Sequence, residues 1–134
     1  MKRVFAALLS AGLLATASAG VARAELVLAM FEEIGCAYCT MWHNEIGPIY
    51  PKTKAGEVAP LRRVDLMKPI PEDIVLDSKP HFTPTFVLLR DGVEIARLEG
   101  YPGEDFFWGL IEALLREQPE WAENGNKTKG GAEG

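Results

Sequence analysis

Apolar residues along this chain fall into runs of two kinds, some continuous and some periodic. Residues 26–31 (Leu-Val-Leu-Ala-Met-Phe) form an unbroken apolar run of strand length, the pattern of a strand buried on both faces of a sheet. Glu32, Glu33, Ile34 and Gly35 follow as a turn, and 37–46 reads as a helix with Met41, Trp42 and Ile46 available for its inner face. Gly47-Pro48 and Tyr50-Pro51 interrupt that helix, because proline removes a backbone donor and restricts the residue before it. A short helical turn is expected at 53–58 and a second strand at 61–66. A long connection, 67–82, carries Pro69, Pro71 and Pro80, and its middle, 71–77, is expected to form a short helix. The third strand, 85–90, meets Asp91-Gly92, a hairpin signal, and the fourth returns over 93–99. In the last helix, 104–116, Phe106, Phe107, Leu110, Ile111, Leu114 and Leu115 recur as one stripe. Glu104 and Asp105 in its first turn and Arg116 in its last suit the helix dipole. The polar, glycine-rich tail, 123–134, reads as disordered.

This order is a parallel strand–helix–strand unit followed by an antiparallel hairpin and a helix. It predicts an α/β domain with a mixed central sheet of about four strands flanked by helices. The length, 134 residues, suits one such domain.

The first 24 residues belong to a different kind of segment. Lys2 and Arg3 precede an apolar run over 4–17, and small residues close it at Ala17-Ser18-Ala19 and again at Ala22-Arg23-Ala24. That is the layout of a cleaved secretory signal peptide, which leaves a domain at 25–122 in an exported protein. The run is shorter than the roughly 20 apolar residues of a membrane span, so stable membrane insertion is not expected. Loss of Lys2, Arg3 and Arg23 leaves 11 basic residues against 19 acidic, a formal charge of −8. So acidic a surface repels nucleic acid and anionic lipid, which leaves proteins as the expected partners.

Cys36 and Cys39 are the only cysteines, in a chain addressed to an oxidising compartment. Closing a loop that short removes only about 2 kcal/mol of unfolded-chain entropy, so the pair is a poor staple. Chemistry accounts for the spacing better than stability does.

With these pieces in place the chain resembles the thioredoxin superfamily. The residues that carry the resemblance are the buried strand 26–31, Cys36-Ala37-Tyr38-Cys39 at the start of a helix, Thr83-Pro84-Thr85-Phe86-Val87, the Asp91-Gly92 hairpin and the helix 104–116. The Phe-Glu-Glu lead-in, the Arg-Arg-Val-Asp strand and the Glu-Gly-Tyr-Pro-Gly-Glu-Asp-Phe-Phe-Trp stretch are similar to periplasmic thioredoxin-like proteins encoded with bacterial sulfur-oxidation systems. The resemblance implies the thioredoxin fold, a periplasmic location and thiol–disulfide exchange that reduces or activates cysteine thiols of partner proteins, sulfur-carrier proteins among them. It implies no diffusible cofactor and a membrane thiol-electron transporter as the source of reductant. It also implies that Pro84 is cis, faces the cysteines and belongs to the catalytic set. Thr83, Ala37 and Tyr38 would contact the substrate. Four positions depart from the family pattern. Gly35 stands where a tryptophan is usual, Met30 replaces a buried strand aspartate, and Ala37-Tyr38 replaces Gly-Pro.

Exchange needs a thiolate that attacks and a second thiol that resolves the mixed disulfide. Cys36 at a helix N-terminus gains from unpaired N–H groups that favour negative charge, which makes it the nucleophile. Cys39, one turn inside, is the resolving thiol. Glu32 and Glu33 are the nearest acids, and either can stand in for the missing aspartate as a proton relay. Two rival readings use the same residues. In one, Cys36, Cys39, His43 and His81 bind copper or zinc on a chaperone of the same fold. In the other, the protein regulates a partner through one lasting mixed disulfide.

Overall fold

A computed structural model describes residues 24–130, with side chains through Gly125; the signal peptide expected at 1–24 lies outside the described residues apart from Ala24. The element order is β1 (Leu26–Glu32), α1 (Ala37–Glu45), a 3-10 turn (Tyr50–Lys52), α2 (Lys54–Val58), β2 (Leu61–Asp65), β3 (Thr85–Arg90), β4 (Val93–Glu99), α3 (Glu104–Arg116) and α4 (Pro119–Gly130). The four strands make one mixed sheet in the order β2-β1-β3-β4, with β1 parallel to β2 and antiparallel to β3. β3 and β4 form the expected hairpin, and Asp91 and Gly92 at its turn take positive φ values of 50° and 82°.

β1 is buried on both faces because two different layers cover it. Leu26, Leu28 and Met30 point toward a helical layer that includes Trp42 and Ile46 of α1, Ala55 and Val58 of α2, and Phe107, Ile111 and Leu115 of α3. Ala29 and Phe31 point the other way, against Val64, Ile74, Val87 and Leu89. The cover on that second face is the long connection, through Leu66, Ile70, Ile74 and Leu76, so the helices all gather on the first face. Trp42, Tyr50, Phe86 and Phe107 are fully buried and form an aromatic cluster between α1 and the sheet. Burial of Tyr50 pushes its phenol far above the ordinary value, and its hydroxyl donates to the Ala59 carbonyl at 2.7 Å.

Four expectations need correction. Residues 71–77 are not a helix. The backbone there pairs with the hairpin instead, the Val75 N–H donating to Gly92 O and the Glu94 N–H to Val75 O, both at 2.9 Å. Met41 is exposed (43%), since α1 buries only Cys39 and Trp42 and Ile46 caps it. The stripe of α3 is narrower than its apolar residues suggest, with Phe107, Ile111 and Leu115 buried while Phe106 and Leu110 are exposed. The helix 104–116 is not the last, because α4 runs through 119–130 into the segment read as a disordered tail. α4 is anchored by Glu120, which accepts from Arg90 at 2.8 Å, and by Trp121, whose ring lies 4.1 Å from the Lys54 ammonium.

Candidate functional site

The sheet delivers both halves of the site to one end. β1 ends at Glu32, and the turn 33–35 carries the chain directly into α1; Gly35 adopts φ +87°, a left-handed conformation that favours glycine. Phe31 is opposite Thr85 in the β1–β3 register, so the segment before β3 arrives beside that same turn. The Thr83–Pro84 peptide is cis, as the resemblance implies, and Pro84 is buried.

Cys36 is the N-cap of α1 and Cys39 lies in its first turn, and the two are joined in a disulfide with Cα atoms 5.2 Å apart. The Cys36 sulfur accepts the Cys39 backbone N–H at 3.1 Å, one of the helix-start donors that lack a carbonyl partner. The two sulfurs are unequally placed. Cys36 is half-buried at the surface, whereas Cys39 is 4% exposed and belongs to the core cluster with Met30. Opening this bond therefore presents one sulfur to a partner and keeps the other inside.

Two hollows flank the pair. A groove of about 340 Å³ is lined by Tyr38, Thr83, Glu99, Gly100, Tyr101 and Pro102. Ala37 and Tyr38 are exposed on the first turn of α1, and the Thr83 hydroxyl donates to Glu33 Oε1 at 3.3 Å across the site. The Tyr101 hydroxyl donates to Glu45 Oε2 at 2.5 Å, so the far end of α1 fixes the loop between β4 and α3. Burial and the Glu45 carboxylate push that phenol well above its usual range.

The second hollow, about 320 Å³, reaches Cys36, Cys39, Thr40 and His43 from α1, Glu32 and Glu33 from the end of β1, and Arg63 and Asp65 from β2. Side chains alternate along a strand, so Glu32 shares the helical face of β1 with Met30. The acid missing at position 30 thus reappears two residues later, at the margin of the layer. Glu32 accepts from Arg63 Nε on Oε1 and shares a hydrogen bond between Oε2 and His43 Nε2, both at 2.5 Å. A larger cavity of about 590 Å³ lies at the opposite end of the sheet, around Glu25, Arg62, Asp73 and Asp91, and contains no cysteine.

The structure thus brings Cys36, Cys39, Glu32, Glu33, Thr83 and Tyr38 around one end of the sheet. Among the described residues no group of three or more His, Cys, Asp or Glu side chains is arranged to hold a metal ion. His43 is engaged with Glu32 and His81 is exposed. The Glu32–His43 and Glu45–Tyr101 contacts were not anticipated. The first had a signal in the sequence, the shared parity of 30 and 32 and the i, i+4 spacing of Cys39 and His43; the second had none.

Comparison with known proteins places this geometry. A family model described as a thioredoxin-like domain matches residues 14–115, more than half of the chain. The periplasmic thioredoxin SoxS from Paracoccus pantotrophus, in its reduced form, is 51% identical with a TM-score of 0.65, over 67% of this chain and 95% of that one. Thioredoxin-2 of the malaria parasite is 21% identical with a TM-score of 0.48, over 68% of this chain and 84% of that one. The Malassezia sympodialis thioredoxin is 23% identical with a TM-score of 0.46, over 66% and 74%. Those last two are too distant to add weight. No curated protein matches the chain.

Proposed function

The chain belongs to the thioredoxin superfamily and acts as a thiol–disulfide oxidoreductase, and on that premise we propose that it is a periplasmic reductant of partner-protein cysteines. The observation that carries this reading is the disulfide at the N-cap of α1, half-buried at Cys36 and closed off at Cys39. Once the bond is reduced, the helix start and the Cys39 N–H favour negative charge on the Cys36 sulfur, which makes it the attacking thiolate. Cys39 then resolves the mixed disulfide. Thr83 and Pro84, with Ala37 and Tyr38, hold the substrate segment along the 340 Å³ groove, where an extended chain can pair with the backbone before β3. Glu32 and Glu33 line the hollow that reaches Cys39, and an acid there can assist its proton loss.

Sulfur-carrier proteins of a sulfur-oxidation system are the substrates we favour, because the 51% identical neighbour is a periplasmic thioredoxin named SoxS. A cleaved leader at 1–24 delivers the protein to the periplasm. Electrons reach it as thiols from a membrane thiol-electron transporter.

Trapping tests the reading. Cys39→Ser, mixed with a carrier protein whose cysteine is blocked as a disulfide, should accumulate a mixed disulfide through Cys36, while Cys36→Ser accumulates none. Wild-type protein should release the carrier thiol catalytically. Failure to free the blocked carrier while reducing generic disulfides would remove the sulfur-carrier assignment and keep the exchange chemistry.

A further inference from the structure

The exchange reading requires that Cys39 lose a proton before it attacks, and the inference below rests on that reading. Met30, the β1 residue in the same core cluster as Cys39, is fully buried and apolar and offers no proton acceptor. Glu32 is close by, but both of its oxygens are occupied, one by Arg63 and the other by His43. Glu33 is exposed and accepts from Thr83. Asp65 accepts the Met67 N–H at 2.9 Å and has Lys68 at 3.7 Å. Of the titratable groups around the hollow, His43 is placed differently. It lies four residues after Cys39, on the same face of α1, and lines the same 320 Å³ space. That space is large enough to admit water. With Nε2 donating to the Glu32 carboxylate, Nδ1 is left as an acceptor, and no described residue bonds to it.

We propose that His43 is the base that accepts the Cys39 proton through water in this hollow, with Glu32 orienting the imidazole and Arg63 holding Glu32. The arrangement is a nucleophile, a base and a carboxylate that orients the base. In the reduced protein the Cys36 thiolate attacks a partner disulfide and expels one partner thiolate, which takes a proton from solvent. Cys39 S–H then gives its proton to His43 Nδ1. The Cys39 thiolate attacks the Cys36 sulfur, a Cys36–Cys39 bond forms, and the bond from Cys36 to the partner breaks. The second partner sulfur leaves with the electron pair and is protonated by the imidazolium or by solvent. One disulfide has been reduced and one dithiol oxidised. The charged and titratable groups facing His43 during this step are Glu32 and Glu33 from the end of β1, and Arg63 and Asp65 from β2.

The two steps are read separately by mixing the reduced protein with the chromogenic disulfide 5,5′-dithiobis(2-nitrobenzoate). Attack by Cys36 releases one coloured thiolate and resolution by Cys39 releases the second. His43→Gln keeps a donor toward Glu32 and loses the base. It should slow the second release by about ten- to a hundredfold between pH 6 and 8, flatten its pH profile, and leave the first release within about twofold. In His43→Ala, added imidazole should restore the second phase alone. An unchanged second phase in His43→Gln, or equal slowing of both phases without rescue, overturns the proposal while leaving exchange intact. A wild-type protein that never releases the second thiolate would overturn the exchange reading, and this inference with it.

Discussion

Two glutamate–arginine pairs in this molecule look alike on paper and differ in what completes them. Glu94 of β4 takes a two-pronged grip from Arg97, at 2.6 and 2.7 Å, and its remaining capacity accepts the Asp77 N–H at 2.9 Å. Arg97 also donates to the Ser78 carbonyl at 2.8 Å. Both side chains are largely out of water, 4% and 18% exposed, and their bonds to the Asp77 N–H and the Ser78 carbonyl pin the long connection onto β4. Glu32 of β1 also binds an arginine, but Arg63 is 64% exposed, and the other carboxylate oxygen meets an imidazole that lines a hollow beside the disulfide. The first pair is closed by backbone and holds a segment in place. The second is open on the side where chemistry happens. A salt bridge therefore carries no fixed meaning; the atoms that fill its remaining valences decide between scaffold and site.

Breaking the closed pair should have the largest effect on stability. Glu94→Ala leaves a mostly buried Arg97 with only the Ser78 carbonyl and the more distant Glu99 carboxylate, at 3.7 Å, and frees the Asp77 N–H; it should cost about 3 kcal/mol in urea unfolding with disulfide exchange unchanged. Acid sharpens the same contrast. The hydrogen bond and charge of Arg97 hold the Glu94 carboxyl below its ordinary range, against a smaller desolvation penalty. A carboxylate lowered in the folded state stabilises above its unfolded value and loses that contribution as pH falls through the folded one. Urea midpoints measured from pH 6 downward should therefore fall below about pH 4 in the wild type and fall less in Glu94→Gln. Glu32→Ala inverts the pattern. Stability should drop by less than about 1 kcal/mol, because its arginine partner is solvated, while the rate of mixed-disulfide resolution falls clearly. Arg63→Ala is the mildest change, within about 0.5 kcal/mol in unfolding, with a resolution rate between those of wild type and Glu32→Ala.

What could be read from the sequence follows the range of the forces involved. β1, α1, β3, β4 and α3 were legible because burial period, hairpin chemistry and proline breaks are local properties of the chain. Residues 71–77 were misread because their backbone found partners about twenty residues away, at Gly92 and Glu94, and no local pattern records that choice. The same holds for α4, which is fixed by an Arg90–Glu120 pair and by Lys54 against Trp121. Met41 is apolar yet faces water, because one turn of α1 offers a narrow seat that Trp42 fills. At the site, Cys36 and Cys39 announced themselves by spacing. The partner of Glu32 left a fainter trace, the parity of 30 and 32 and the spacing of His43 from Cys39, since His43 meets it only after the turn at 33–35 folds α1 back over the end of β1.

The central claim, that the Cys36–Cys39 pair serves as a reductant of partner thiols, is tested most directly by its reduction potential. Alkylation and mass measurement after equilibration in thiol buffers give that value. A potential near thioredoxin's, about −270 mV, is the predicted result. A potential near about −120 mV, that of a strong periplasmic oxidant, would contradict the claim and make the protein a donor of disulfides.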